Sequence, residues 1–183
     1  MNERPEGFRQ SLLGLDTMVF VYHFEEHAQF GTAATQLLAL ARGGPCRMVT
    51  SVVALLELLV IPKRLGQDAL CRSYRDFFFS LPSLSLEPVT PEIAELGADL
   101  RGRYNLATPD AIHVATAIHA GADAFVSENG RLKRRLKQIP EIPILTLAQA
   151  LARVGALGSG EVHEPRPRYG APRRPRRRSL RAF

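Results

Sequence analysis

Apolar residues along this chain fall into short runs and helical spacings, and the breaks between them set the elements. Leu12–Leu15 is a short apolar run that stops at Asp16; Val19–Phe24 resumes it before Glu25 and Glu26, the pattern of a strand passing into a helix. Thr32–Arg42 is rich in Ala and Leu, carries no breaker and closes on Gly43-Gly44-Pro45, which predicts a helix. Cys46–Thr50 leans to strand. Ser51 is placed to cap a helix over Val52–Ile61 that Pro62 stops. Leu70, Tyr74, Phe77, Phe78 and Leu81 share one helical face, and Leu84–Val89 alternates as a strand does.

The second half repeats one start signal. Thr90-Pro91 opens a helix with Ile93, Leu96, Gly97 and Leu100 on one face; Thr108-Pro109 opens another with Ala111, Val114, Ala115 and Ile118, ending at Gly121. Ala124–Val126 reads as a short buried strand, Asn129-Gly130 as a turn before a basic helix Arg131–Lys137, Ile142–Leu147 as the last strand and Leu147–Val154 as a closing helix. Five short strands alternating with helices predict an α/β fold on a mainly parallel sheet, with right-handed crossovers placing helices on both faces. No internal repeat is evident.

Composition changes this picture at one end. The 183 residues carry a formal charge of +6, but residues 161–183 alone hold eight Arg and two Glu. The remainder has sixteen basic and sixteen acidic side chains and is neutral. From Gly158 onward Gly, Pro and Arg dominate, a composition that cannot bury enough surface to offset its ordering entropy. The expected organisation is therefore an N-terminal arm over residues 1–10, one domain over 11–157 and a disordered basic tail over 158–183. Cys46 and Cys71 lie in apolar patterns without C-x-x-C spacing, which predicts buried free thiols. The densest apolar run, Val52–Ile61, is shorter than the about 18 residues of a membrane span and contains Glu57. With no secretory pattern at the N-terminus, a cytoplasmic protein is expected.

The candidate chemistry lies in acids that are hard to explain as surface. Glu57 sits in a helix apolar all round, where an ionised carboxylate is costly unless paired, protonated or bound to a cation; pairing with Lys63 or Arg64 is the structural alternative. Asp16 ends the first strand, where parallel sheets place ligand sites, though the position also suits a helix N-cap. Asp110, behind Thr108 as cap and Pro109, suits both a site and the positive end of a helix dipole. Glu128 and Asn129 follow the fourth strand, as a site or simply as a turn. All fall at one edge of the sheet. Carboxylates gathered there repel unless a hard cation takes their oxygens, and Mg²⁺ or Mn²⁺ suits such donors. A metal so held activates water and neutralises phosphodiester charge, so metal-assisted phosphodiester hydrolysis is the expected reaction.

Leu15-Asp16-Thr17, Thr50-Ser51 with Leu56-Glu57-Leu58, Thr108-Pro109-Asp110-Ala111-Ile112-His113-Val114-Ala115-Thr116-Ala117 and Phe125-Val126-Ser127-Glu128-Asn129 resemble the PIN-domain nucleases, and within them VapC-type toxins of toxin–antitoxin pairs. The resemblance covers roughly residues 11–152. It implies a PIN-like three-layer α/β/α sandwich, Mg²⁺- or Mn²⁺-dependent endoribonuclease activity, homodimerisation and inhibition by a cognate antitoxin protein. Asp16, Glu57 and Asp110 match the family's metal-binding acids. Asn129 stands where a fourth acid is expected and Glu128 one residue early; an Asn oxygen ligates a cation but adds no charge. Met18 replaces a small polar residue of the opening motif. Ser127 orients a ligand or serves as a turn serine, and Arg131, Lys133 and Arg134 are candidates to hold RNA phosphates. His113, three residues after Asp110, could reach the pocket rim, but a surface or helix-packing histidine is the favoured reading; His119 is expected to be a helix-end histidine.

Other readings fare worse. No G-x-G-x-x-G follows the first strand, as a dinucleotide enzyme needs. Asp16 is followed by Thr17-Met18, not the Asp-x-Asp of a phosphotransferase, and Val89 and Leu147 occupy the positions where a receiver domain needs Asp and Lys. The rival from another class is a nuclease-like fold that has lost catalysis and serves as an RNA- or partner-binding module.

Overall fold

The computed structural model describes residues 11–43, 46–130, 132, 134 and 140–158. The expected arm, most of the basic helix Arg131–Lys137 and the tail beyond Gly158 lie outside the described residues. Among the described residues the elements run in the order β1 (Ser11–Leu15), α1 (Thr17–Phe24), α2 (Gly31–Leu40), β2 (Cys46–Ser51), α3 (Val52–Arg64), α4 (Asp68–Phe79), β3 (Leu84–Glu87), α5 (Pro91–Tyr104), α6 (Thr108–His119), β4 (Ala124–Val126), β5 (Ile144–Leu145) and α7 (Leu147–Gly158). The sheet order is β3-β2-β1-β4-β5, and every pairing is parallel.

Side-chain alternation along the strands divides the core. Leu13 and Leu15 of β1, Cys46 and Met48 of β2, and Ala124 and Val126 of β4 pack with α1, α2, α3, α4 and α7 on one face. Phe125 points to the other face, with Ile93 and Leu100 of α5 and Val114 of α6. This is the expected α/β/α sandwich. Helix α6 comes unusually close to the sheet: a Cβ added at Gly14 would lie 2.4 Å from the Ala117 Cβ, so only glycine fits at that point of β1. Strand β1 is central, and the chain departs from it first toward β2 and β3, then toward β4 and β5. The crevice beyond the carboxyl ends of β1 and β4 is therefore the topological switch point, where open parallel sheets hold their ligands.

Several boundaries differ from the pattern. Pro62 lies inside α3, which continues to Arg64; proline forfeits its own N–H bond, but the following residues keep theirs, as in Leu65 N–H to the Ile61 carbonyl at 3.1 Å. Strand β3 stops at Glu87, and β5 is confined to Ile144–Leu145 because α7 starts at Leu147. Leu81 lies beyond the end of α4, and Leu70 is exposed while Cys71 turns inward. Ser51 and Thr90 cap α3 and α5 as expected, through Val53 N–H and Ile93 N–H. The cap of α6 is Ala107, with Thr108 the first helical residue. Both cysteines are buried free thiols, and burial pushes the Cys46 thiol up to about 11. Among the described residues no helix is long and apolar enough to cross a membrane.

Candidate active site

Asp16 leaves the end of β1 with its N–H on the Val126 carbonyl at 3.1 Å, tying it to the neighbouring strand. Thr50 on β2 closes the other side by donating its hydroxyl to the Leu15 carbonyl at 2.9 Å. Asp16 occupies the N-cap position of α1, yet its side chain makes no capping bond. Its Oδ2 instead accepts from the Ser127 hydroxyl at 2.5 Å, so the serine expected at the turn orients the acid. Asp16 is 5% exposed, and among the described residues no cation pairs with it. Burial raises its carboxyl above the usual aspartate range, and the Ser127 bond and the nearby His113 only partly oppose that.

Glu57 enters from α3. Its expected alternative partners do not take it: Lys63 pairs with Asp68 at 3.0 Å. Glu57 Oε2 accepts from the Thr17 hydroxyl and from His113 Nε2, the latter at 3.1 Å, while Nε2 also lies 2.9 Å from Thr17 Oγ1. Burial pushes the Glu57 carboxyl up, but the hydrogen bonds from His113 and Thr17 outweigh it and the net shift is downward. The expectation that α3 is buried on every side is corrected here. Only Ala54, Leu58 and Pro62 are buried, whereas Leu56 and Ile61 are each 62% exposed and Val52 and Val60 also face outward. The helix lies against α4 and α1 at the edge of the layer, so an apolar run there outnumbers the neighbours available to cover it.

Asp110 sits in the first turn of α6, half-buried. With Asp16, Glu57, Thr17, Met18, Val21 and Asn129 it lines a cleft of about 270 Å³. Asp110 and Asn129 also form the wall of an adjoining cleft of about 540 Å³, completed by Asn105, Leu106, Ala107, Leu132 and Arg134. The three acids that the sequence singles out thus face one cavity. Asn129 joins them at its rim, with its Oδ1 accepting from Leu132 N–H at 3.3 Å as the cap of the helical turn that follows. Glu128 is directed elsewhere: its Oε1 accepts from Leu147 N–H at 2.8 Å, at the start of α7. Arg134 is exposed at the larger cleft, and Arg131 and Lys133 lie outside the described residues.

His113 is both packed and drawn into the site, the less favoured of its two expected readings included. It is 2% exposed and joins the acid cluster. Its spacing of three from Asp110 on the same helix puts both on one face, which was the available signal. Thr17 carried no signal beyond its place next to Asp16. The Thr17 hydroxyl has one hydrogen, given to Glu57, so both contacts of His113 Nε2 require the proton on Nε2. Nδ1 is buried without a hydrogen-bond partner among the described residues.

Among the described residues no three His, Cys, Asp and Glu side chains draw together closely enough to cage a metal ion. The donors nonetheless fit a hard divalent cation in kind. They are carboxylate and amide oxygens, and a buried Asp16 with no cationic partner among the described residues faces the same cleft as two further acids.

The chain matches the PIN domain family over residues 14–137 and belongs to it, a family of nucleases. Its fold is that of solved toxin–antitoxin structures. A toxin–antitoxin complex from Klebsiella pneumoniae is 24% identical with a TM-score of 0.54, covering 75% of this chain and 97% of that one. VapBC2 from Rickettsia felis, bound to a DNA fragment from its promoter, is 20% identical with a TM-score of 0.55, covering 74% and 98%. DNA-bound VapBC from Salmonella typhimurium is 17% identical with a TM-score of 0.53, covering 76% and 99%. No curated protein matches the sequence.

Proposed function

We propose that this chain is a divalent-metal-dependent endoribonuclease, the VapC-like toxin of a type II toxin–antitoxin pair acting in the cytoplasm. The observation that carries the reading is the convergence of Asp16, Glu57 and Asp110 on one cleft at the switch point of the sheet. These three are the acids that would hold Mg²⁺ or Mn²⁺, with Asn129 contributing an amide oxygen in place of a fourth acid. A cation bound there supplies an activated water and charge neutralisation for a phosphodiester. Ser127 fixes the Asp16 carboxylate, and Arg134 offers a charge to a flanking phosphate in the adjoining cleft. Glu128, occupied at α7, is left out of the metal set.

The exposed apolar residues of α3 are the surface for partners, a second copy of this chain and the antitoxin. Residues 11–157 constitute the catalytic domain. The basic tail over 158–183 adds salt-dependent RNA affinity without contributing to cleavage.

Asn129 favours a second reading, a catalytically silent module that binds RNA or a partner. Incubating the full chain with a mixed RNA pool and Mg²⁺ or Mn²⁺ separates the two. Cleavage should appear, vanish with EDTA, and fall in Asp16→Ala by more than the about 10–100-fold that outer-shell changes cost. Cleavage that survives EDTA or Asp16→Ala would sink the assignment; no cleavage with any divalent metal, with binding retained, leaves the silent module. Asn129→Asp should lower the metal concentration needed.

A further inference from the structure

His113 and Thr17 have no part in the reading above, yet both converge on a single oxygen of Glu57. Oε2 takes the Thr17 hydroxyl and the His113 Nε2–H, while Oε1 has no protein partner among the described residues. The donors are themselves held. Thr17 and His113 touch each other at 2.9 Å, and both are buried, one at the start of α1 and one inside α6. Three helices thereby meet at one carboxylate oxygen: α1 through Thr17, α3 through Glu57 and α6 through His113.

A carboxylate whose second oxygen is tied down in this way can offer a cation only one. That matters because ions differ in what they accept. Mg²⁺ and Mn²⁺ take octahedral sites with single carboxylate oxygens and retained waters, whereas Ca²⁺ tolerates more ligands and often takes both oxygens of one carboxylate. We infer that His113 and Thr17 are positioning residues that make Glu57 a one-oxygen ligand, biasing the cleft toward small octahedral cations and against Ca²⁺. The inference rests on the proposed role of Glu57 as a metal-holding acid. Neither residue touches the cation; each acts through Glu57, as outer-shell partners of metal ligands do elsewhere.

The test is calorimetric titration of the full chain with Mn²⁺ alone and with Ca²⁺ alone, in the absence of RNA. His113→Leu and Thr17→Val should each weaken Mn²⁺ binding by about tenfold, at the lower end of outer-shell effects, and narrow the preference for Mn²⁺ over Ca²⁺. His113→Gln, which keeps an N–H donor, should recover part of both. Because the two residues act through Glu57, adding His113→Leu to Glu57→Gln should cost nothing further in Mn²⁺ affinity. The inference is overturned if folded His113→Leu and Thr17→Val keep wild-type Mn²⁺ affinity and ion preference while Glu57→Gln weakens binding. Full additivity in the double variant overturns it as well. Should His113→Leu fail to melt cooperatively, Thr17→Val, which is close to isosteric, decides the matter. A different result marks failure of the underlying assignment: if the wild-type chain binds no Mn²⁺, or Glu57→Gln binds it normally, the metal role of Glu57 falls and this inference with it.

Discussion

Helices α3 and α6 each deliver an acid to the same cleft, and they are opposites in how sequence relates to burial. Helix α3 carries the densest apolar run of the chain, Val52–Ile61, yet Leu56, Val60 and Ile61 stand in solvent. Helix α6 carries His113 and Thr116 in its middle and is nonetheless the better buried, with Ala111 and then every residue from His113 to Ala117 covered. The difference is one of neighbours. Helix α6 lies between the sheet and α5, and both contacts use small residues: Gly14 beneath Ala117, and Gly97 against Ala111 and Ala115. Large side chains would hold these layers apart. Alanine spacing marks the central helix, and surplus leucine marks the one left with too few neighbours to cover it.

Overfilling the closest contact tests this contrast most severely. Gly14→Ala drives a methyl into Ala117 and should cost about 1–3 kcal/mol, lowering Tm by roughly 2–4 °C for each kcal/mol; an unchanged melt would show that α6 has slack. Asp16→Asn works in the opposite direction at the cleft between the two helices. The native carboxyl is raised above its ordinary 3.8, so the fold binds that proton more tightly than the unfolded chain does. The contribution of Asp16 to stability is therefore greatest when it is protonated and is lost as pH rises from about 3.8 through the raised native value. At neutral pH Asp16→Asn should stabilise the fold by on the order of 1 kcal/mol, as active-site substitutions do where function costs stability, while abolishing cleavage. Melts repeated at falling pH should show the gain shrinking.

A smaller gain is expected where α5 meets α6. A Cβ at Gly97 would lie 3.7 Å from the Ala111 carbonyl oxygen, ordinary contact, so Gly97→Ala should add about 0.5–1 kcal/mol through helix propensity. A lower Tm would mean that α5 and α6 are packed more tightly than that spacing indicates. Polar replacement on α3 should matter least to the isolated fold. Leu56→Ser and Ile61→Ser are expected to shift monomer stability by within about 0.5 kcal/mol each, while analytical ultracentrifugation should show the proposed dimer in the parent chain and its loss in both variants. Unfolding of the chain would instead make those residues part of its core.

The sequence made most of this molecule legible wherever local physics decides. Caps at Ser51 and Thr90, the helical spacing of α5 and α6 and the short strand Ala124–Val126 all depend on a few adjacent residues. The acids at the strand ends were legible for the same reason, since parallel topology brings those ends to one edge. Helix α3 misled because burial depends on what packs against it, which apolar pattern does not encode. The contact of His113 with the site was only the less favoured reading because a lone histidine in a helix most often packs, and its partners Glu57 and Thr17 lie 56 and 96 residues away. Glu128 turned to α7 because a free N–H at Leu147 competes for the same carboxylate, a contact no motif describes.

The bond between Ser127 and Asp16 spans 111 residues of chain and joins the first strand to the fourth. During synthesis, β1, β2, β3 and the helices among them can emerge and begin to pair while the place beside Asp16 stands empty. Strand β4 then adds to the edge that β1 leaves open, and only this turns β1 from an edge strand into a central one. A ribosome that stalls between Asp110 and Ala124 releases a chain with Asp16, Glu57 and Asp110 all present but no Ser127 to fix the first of them. For a protein whose finished cleft is proposed to cut RNA, the acid at the end of the first strand thus lacks its orienting serine until the fourth strand has been made.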